Sequence, residues 1–251
     1  MTHQDGVAIV TLRNPPNNHL GLAAITALGD AFDSVDHNPA LRAILLRSEG
    51  RVFCAGADLV HANPVAEPLP AGARSPFYLA AARLFGVATP MVAAIQGAAV
   101  GAGLGLALAA DFRVASPEAR FVANFVKLGL HPGFGISAVL ERVIGRQRAA
   151  MMLLTGRRIR GQDAERWGLV DQLVPAEELD DAALALAREI AAGAPLAVAS
   201  TRRTLRGDLR ALVEAATDHE LAEQAVLMQT EDFAEGVRAV TERRPGRFVG
   251  R

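Results

Sequence analysis

Apolar positions follow two rhythms along this chain. Over roughly the first 120 residues, short β-rich runs alternate with segments of helical spacing, the signature of βα units and a largely parallel sheet. VAIVTLR, Val7 to Arg13, predicts a strand. The turn-rich NPPNNHLG follows, and then Leu22, Ile25, Leu28, Phe32 and Val35 recur at helical spacing, which puts one apolar stripe on a core-facing helix. Asn38-Pro39 ends that helix, because proline pushes the preceding residue out of helical geometry. Further strands are predicted at Leu41 to Ser48, Met91 to Ile95 and Phe112 to Ser116. EGRVFCAGADL reads as a loop, and the Pro-rich, patternless stretch from Asn63 to Pro76 reads as a mobile surface loop or lid. From Gly135 onward the pattern is almost all helix, with periodic Ala and Leu from Glu177 to Ala192 and from Leu209 to Met228. The C-terminal third has few long apolar residues, so its helices are expected to cover the sheet domain or a neighbouring subunit. No internal repeat is visible.

Composition narrows the class. A chain of 251 residues, 51% hydrophobic, can bury a sizeable core, so one large domain with a small appended helical part is expected. Lys and Arg number 26 against 27 Asp and Glu; the net charge of −1 gives no general attraction to nucleic acid or to an anionic membrane, so an anion site must be local. The single cysteine, Cys54, excludes an intramolecular disulfide framework, and the polar start MTHQDG carries no hydrophobic leader, which together point to the cytoplasm. Met91 to Ala110 is an uncharged run of 20 residues, long enough to span a bilayer, with Gly97, Gly101 and Gly105 at GxxxG spacing. It is only mildly apolar, holds Gln96 and lacks an aromatic belt or flanking basic cluster, so a buried strand, a glycine loop and a buried helix fit it better. The six histidines and the carboxylates do not cluster at metal-ligand spacing, and no metal is expected.

Two glycine-containing loops, each just after a β-rich run, carry the candidate chemistry: Cys54-Ala55-Gly56-Ala57-Asp58-Leu59 and Gly97-Ala98-Ala99-Val100-Gly101-Ala102-Gly103. Small residues let a ligand approach the backbone, and free N–H groups at a following helix start can grip a negative oxygen. The same glycines also suit close packing of helix on strand. A dinucleotide fingerprint fails on spacing, since Leu106 stands where the third glycine of GxGxxG belongs, and a Walker lysine is absent.

With these loops the chain resembles the crotonase (enoyl-CoA hydratase/isomerase) superfamily, from Gly6 to Gly250. NPPNNHLG is similar to the family's early loop, FCAGADL to its first oxyanion segment, and PMVAAIQGAAVGAGLGLALAADFRVAS to its second. KLGLHPGFG, VIGRQRAAMMLLTGRRI, DAERWGLVDQLVP and TEDFAEGVRAVTERRP follow in family order. The resemblance implies an α/β fold, a spiral of ββα units over residues 1–195, with a C-terminal helical trimerisation region at 196–251. It implies a homotrimer or dimer of trimers, and an acyl-CoA thioester as partner, with coenzyme A entering as part of the substrate rather than as a cofactor. The thioester oxygen would meet the N–H groups of Ala57 and Ala102, neither of which is proline. Ala55, with Gly56 and Asp58 beside it, would lie near the adenine end of CoA and Leu59 near the pantetheine. Arg13, Arg243, Arg244 and Arg247 are candidates for the phosphates, with Phe248 as a partner stacking on adenine.

The pattern breaks where acid–base chemistry belongs. Hydration of an enoyl thioester needs one carboxylate for the water and a second acid for Cα. The resemblance puts those glutamates at Gly105 and Phe125, and a third acidic position used by some members at Gly133. Remaining candidates are His131, whose imidazole titrates near neutrality, and Asn124, beside the vacated position, with His61 and Tyr78 flanking the Pro-rich loop. Asp58 is expected to accept backbone N–H bonds in its turn, Lys127 to be a surface charge, and Cys54 to be an inert small hydrophobe. Two functions stand side by side: an enoyl-CoA hydratase/isomerase-type enzyme using a non-glutamate proton carrier, and a catalytically silent acyl-CoA-binding protein.

Overall fold

A computed structural model of the protein describes residues 1–59, 63–65, 70 and 73–251. Strand β1 (Thr2–Gln4) runs antiparallel to β2 (Val7–Leu12); helix α1 (Leu22–Asp36) then crosses to β3 (Ala43–Ser48), parallel to β2. Helix α2 (Pro76–Phe85) precedes β4 (Met91–Ile95), β5 (Ala98–Val100), α3 (Ala102–Ala109), β6 (Phe112–Ala115) and β7 (Arg120–Val122). A 3₁₀ turn at Phe125–Leu128 leads to α4 (Ile136–Ile144), α5 (Arg146–Thr155), β8 (Arg158–Arg160), α6 (Gly161–Trp167) and β9 (Gln172–Leu173). Four helices complete the chain: α7 (Leu179–Ala192), α8 (Pro195–Arg206), α9 (Leu209–Leu227) and α10 (Glu231–Thr241).

The strands form a six-stranded sheet in the order β1-β2-β3-β4-β6-β9, parallel apart from β1, and a three-stranded sheet β5-β7-β8. The chain steps from the larger sheet to the smaller twice, β4 to β5 and β6 to β7, which winds it into a spiral. Strand β4 shows why its sequence is continuously apolar. Met91, Ala93 and Ile95 face the main core with Ile44 and Leu46, while Val92 and Ala94 face the opposite layer with Leu45 and Val114. That second layer is closed by Leu179, Ala183, Ala187 and Ala191, a stripe of mostly small residues at four-residue spacing on α7. A parallel strand covered on both faces cannot alternate polar and apolar.

Helix dominates after Gly135 as expected, but β8 and β9 interrupt it; at three and two residues they are too short to show a two-residue rhythm. The same brevity hides β5 and β7 in the sequence. The apolar run Met91 to Ala110 resolves into β4, β5 and the eight-residue α3, and among the described residues no single helix is long and apolar enough to cross a membrane. In the C-terminal region α9 packs against α2 and α4, so this helix covers the chain's own domain. The Pro-rich stretch after Asn63 lies partly outside the described residues, and His61 lies wholly outside them.

Candidate active site

The two glycine-containing loops meet across a single bridge. Cys54 N–H donates to Ala98 O at 3.0 Å and Val100 N–H donates back to Cys54 O at 3.0 Å, pairing Cys54 with Ala99. Glycine permits the approach at two points. A Cβ on Gly103 would stand 2.1 Å from Cys54 O, and one on Gly56, whose φ is +85, would stand 2.5 Å from Val100 O. The packing reading and the ligand-approach reading of these glycines therefore coincide. Burial pushes the Cys54 thiol up to about 12, and no nucleophile is available there near neutral pH.

Next to the bridge stand Ala57 and Ala102. Ala102 is the first residue of α3, where an N–H has no intrahelical acceptor, and among the described residues neither its N–H nor that of Ala57 reaches an acceptor. The loops adjoin closely enough that a Cβ on Gly56 would lie 3.3 Å from Ala102 N. Both alanines line a cavity of about 230 Å³, together with Ala55, Gly56, Asp58 and Leu59 from the first loop and Val100 and Gly101 from the second.

The opposite wall is aromatic and aliphatic. Phe77, Phe125, Phe134, Leu128 and Leu130 line it, and aromatic rings occupy or adjoin positions 125 and 105, where the resemblance would put glutamates. A Cβ on Gly105 would fall 2.4 Å from Phe134 Cδ1. Phe134 is buried in a left-handed conformation (φ 66), with its ring 5.9 Å from Phe77 and 6.5 Å from Phe85. Phe125 sits at the start of the 3₁₀ turn, its ring tip 3.7 Å from where a Cβ on Gly101 would be. At Gly133 a Cβ would meet Tyr78 Oη at 2.4 Å.

Polar groups enter this wall from three elements. Tyr78 on α2 donates to Gln224 Oε1 on α9 at 2.7 Å, and Gln224 Nε2 donates to the carbonyls of His131 (3.0 Å) and Pro132 (3.2 Å). Behind them Glu220 of α9, fully buried, accepts from Gly135 N–H at 2.8 Å, Ser137 N–H at 3.1 Å and Ser137 Oγ–H at 2.5 Å. Burial raises its carboxyl to about 7 against the pull of those three donors. Burial, with the nearby Glu220 adding to it, also drives the Tyr78 phenol well above its ordinary value, so it remains protonated at neutral pH. His19 lines the cavity from the NPPNNHLG loop, with Nδ1 3.2 Å from Gly56 O. A carbonyl can only accept, so Nδ1 donates in this contact, and Nε2 makes no hydrogen bond among the described residues.

The structure thus gathers Ala55, Gly56, Ala57, Asp58, Leu59, Ala102, Asn124, Phe125, Tyr78 and Gly133 around one cavity. Gly105 reaches it only through Phe134. His131 is not in the wall: its Nδ1 lies 2.9 Å from Pro132 O and its ring packs edge-on to His219 at 5.5 Å. Lys127 is exposed. Arg13 is exposed and paired with Glu49 at 3.1 Å. Arg244 is held by Glu235 and, at 2.5 Å, by Glu242, so its charge is already matched; it borders a separate depression with Arg247. Arg243 and the half-exposed Phe248 lie in the same C-terminal tail, outside the cavity wall. His19, Phe77, Phe134 and Gln224 are among the wall residues that sequence reasoning passed over. For His19 the signal existed, since it stands inside a loop already singled out.

The chain matches known proteins along its whole length. The sequence pattern described as enoyl-CoA hydratase/isomerase matches residues 2–251. The chain is 31% identical over 253 residues to a 1,2-epoxyphenylacetyl-CoA isomerase of Escherichia coli, covering 99% of this chain and 97% of that one. It is 33% identical over 258 residues to a carnitinyl-CoA dehydratase of Proteus mirabilis, covering 100% and 98%. Among solved structures, an enoyl-CoA hydratase/isomerase from Pseudoalteromonas atlantica superposes with a TM-score of 0.88 at 29% identity, covering 99% of this chain and 98% of that one.

Proposed function

The chain belongs to the enoyl-CoA hydratase/isomerase family, and from that premise we propose that it binds an acyl-CoA thioester and stabilises the derived enolate without the two glutamates. The thioester oxygen takes the N–H groups of Ala57 and Ala102. The observation that carries this reading is the meeting of two loops at the Cys54–Ala99 bridge, with two uncommitted main-chain donors on one small apolar cavity. Donors fixed by backbone pairing need no reorganisation as charge develops, and removing one such donor typically costs about 3 to 4 kcal/mol in the transition state. Ala55 and Leu59 take the adenine and pantetheine ends, and Arg247 is better placed for a phosphate than Arg244, whose carboxylate partners are already in place. Assembly as a trimer or a dimer of trimers is part of the same proposal.

Proton transfer falls to a group other than glutamate. Among the described residues His19, Asp58 and Tyr78 are the ionisable members of the wall. His19 is the one whose second ring nitrogen makes no hydrogen bond among the described residues, and it takes precedence over His131, which faces Pro132 and His219.

A second reading, a catalytically silent acyl-CoA-binding protein, has its own support in the aromatic rings of Phe125 and Phe134 that fill both carboxylate positions. Mass spectrometry of a panel of acyl- and enoyl-CoAs, after incubation with the purified protein in D₂O, separates the two. New masses, or deuterium at Cα or Cγ above a no-protein control, establish enolate chemistry. Thioesters that bind and return unchanged overturn the enzymatic reading in favour of the silent one.

A further inference from the structure

The hydrogen-bond chain behind the cavity fixes the direction of one proton. Gln224 turns its amide toward two carbonyls, those of His131 and Pro132, which only an NH₂ can satisfy. Its Oε1 therefore faces Tyr78, and because that oxygen can only accept, the phenol must donate to it at 2.7 Å. The Tyr78 proton is thereby committed. Among the described residues nothing donates to Tyr78 Oη, and the phenol is flanked by Gly133 and Gln224, which line the cavity with it. Phe77 fixes the ring at a centroid distance of 5.7 Å, and the hydroxyl occupies the space a side chain at position 133 would start from. Among the polar residues that line the cavity, His19, Asp58, Asn124, Tyr78 and Gln224, Tyr78 thus offers a buried oxygen whose own proton is already committed.

Resting on the acyl-CoA reading above, we propose that Tyr78 is a specificity-determining residue, and that its oxygen accepts a hydrogen bond from a hydroxyl on the acyl chain. The preferred thioesters are hydroxyacyl-CoAs over their unsubstituted counterparts. A buried acceptor left unmatched loses its hydration without compensation, so an acyl chain bearing only hydrogen, or only an acceptor, binds less well. The same fixed proton excludes Tyr78 as a donor to a substrate carbonyl or ether oxygen.

The test is calorimetric titration of wild type and Tyr78→Phe with butyryl-CoA, 3-hydroxybutyryl-CoA, 4-hydroxybutyryl-CoA and 3-methoxybutyryl-CoA. Wild type is expected to bind at least one hydroxy thioester about 3- to 10-fold more tightly than butyryl-CoA, and the methoxy compound no more tightly. Tyr78→Phe keeps the ring and removes the acceptor, so it is expected to erase that preference, bringing the hydroxy thioesters and butyryl-CoA to within about 2-fold of one another. The methoxy comparison uses wild type alone and holds even should the variant fold poorly. Equal binding of hydroxy and unsubstituted thioesters by wild type, or tight binding of the methoxy compound, overturns the proposal, as does a variant that retains the preference. Failure of wild type to bind any of the four overturns the thioester reading itself, and this inference with it.

Discussion

The contact between Gly105 and Phe134 yields a sign that a simple helix-propensity argument gets wrong. Gly105 lies inside α3, where exchanging glycine for alanine ordinarily stabilises by about 1 kcal/mol. Here the new methyl would stand 2.4 Å from Phe134 Cδ1, 2.9 Å from Cγ and 3.1 Å from Cβ. The ring cannot easily retreat, because Phe134 is buried against Phe77 and Phe85 and its backbone is already in the left-handed region. Overpacking of this kind costs roughly 1 to 3 kcal/mol, so Gly105→Ala is expected to destabilise by up to about 2 kcal/mol net. In a Phe134→Ala background the two nearest ring atoms are gone and the methyl enters vacated space. Phe134→Ala itself costs about 3 to 5 kcal/mol. Added to it, Gly105→Ala is expected to stabilise by about 1 kcal/mol or more. Urea unfolding of wild type, the two single variants and the double variant gives the cycle, with a coupling energy of roughly 1 to 3 kcal/mol. If Gly105→Ala has the same effect in both backgrounds, Phe134 does not exclude a side chain at this position.

Further expectations follow from the same contacts. Glu220 binds its proton more tightly folded (about 7) than at the ordinary glutamate value of 4.5, so the stability it contributes is full below that lower value and is lost as pH rises through 7. The loss amounts to up to about 3 kcal/mol; urea midpoints at pH 5 and pH 8 should fall less for Glu220→Gln than for wild type, and equal falls refute the assignment. Asp111 is partly buried between Arg202 and Arg206, each at 2.8 Å, and accepts the Met91 N–H at 2.8 Å; burial opposes its charge, but the two guanidiniums outweigh it and hold the carboxyl below its usual range. Asp111→Asn leaves two partly buried cations poorly matched and is expected to cost about 2 to 4 kcal/mol, somewhat less than a fully buried pair, read as a lower urea midpoint; a loss below 1 kcal/mol counts against a structural ion-pair role. Ala102→Pro removes an N–H at the first position of α3, where proline is compatible with the helix, so the fold should survive while turnover of any thioester substrate drops about 10²- to 10³-fold. Unchanged turnover places the carbonyl elsewhere. Introducing acids by Phe125→Glu and Gly105→Glu should yield crotonyl-CoA hydration only when Phe134→Ala is added, as steady-state assays of the double and triple variants would show.

How far the site could be read from sequence depends on how far apart its parts lie along the chain. Strand β4 was legible because one layer of core on each face demands an unbroken apolar run, and the two loops were legible because close backbone approach leaves glycine as the residue that fits. Ala57 and Ala102, the proposed oxyanion donors, take their positions from those loops. The wall opposite is different in kind. Tyr78 and Gln224 are 146 residues apart, Gly135 and Glu220 are 85 apart, and no local rhythm reports that they touch. Phe134 shows the limit most plainly. A phenylalanine with positive φ runs against the usual preference for glycine there, so its neighbours alone gave no reason to expect its ring over α3.

The residues at the three positions where the family resemblance puts acids belong together physically. A carboxylate at position 105 would need room that Phe134 occupies, and a side chain at 133 would need room taken by the Tyr78 hydroxyl. Once those rings were in place, an acid at any one position would be desolvated against aromatic edges with no counter-charge, which is costly for the ionised form. The polar function that survives is of the kind such a wall tolerates: a neutral phenol, hydrogen-bonded through Gln224 to main-chain carbonyls and backed by a carboxyl raised toward neutrality. The main-chain donors of Ala57 and Ala102 are independent of this exchange, because they are held by strand pairing and by the start of α3. On the proposed reading, oxygen polarisation rests on the strand pairing and the start of α3 and proton transfer on side chains of the wall, so substitutions in the wall are expected to alter the second and leave the first as it was.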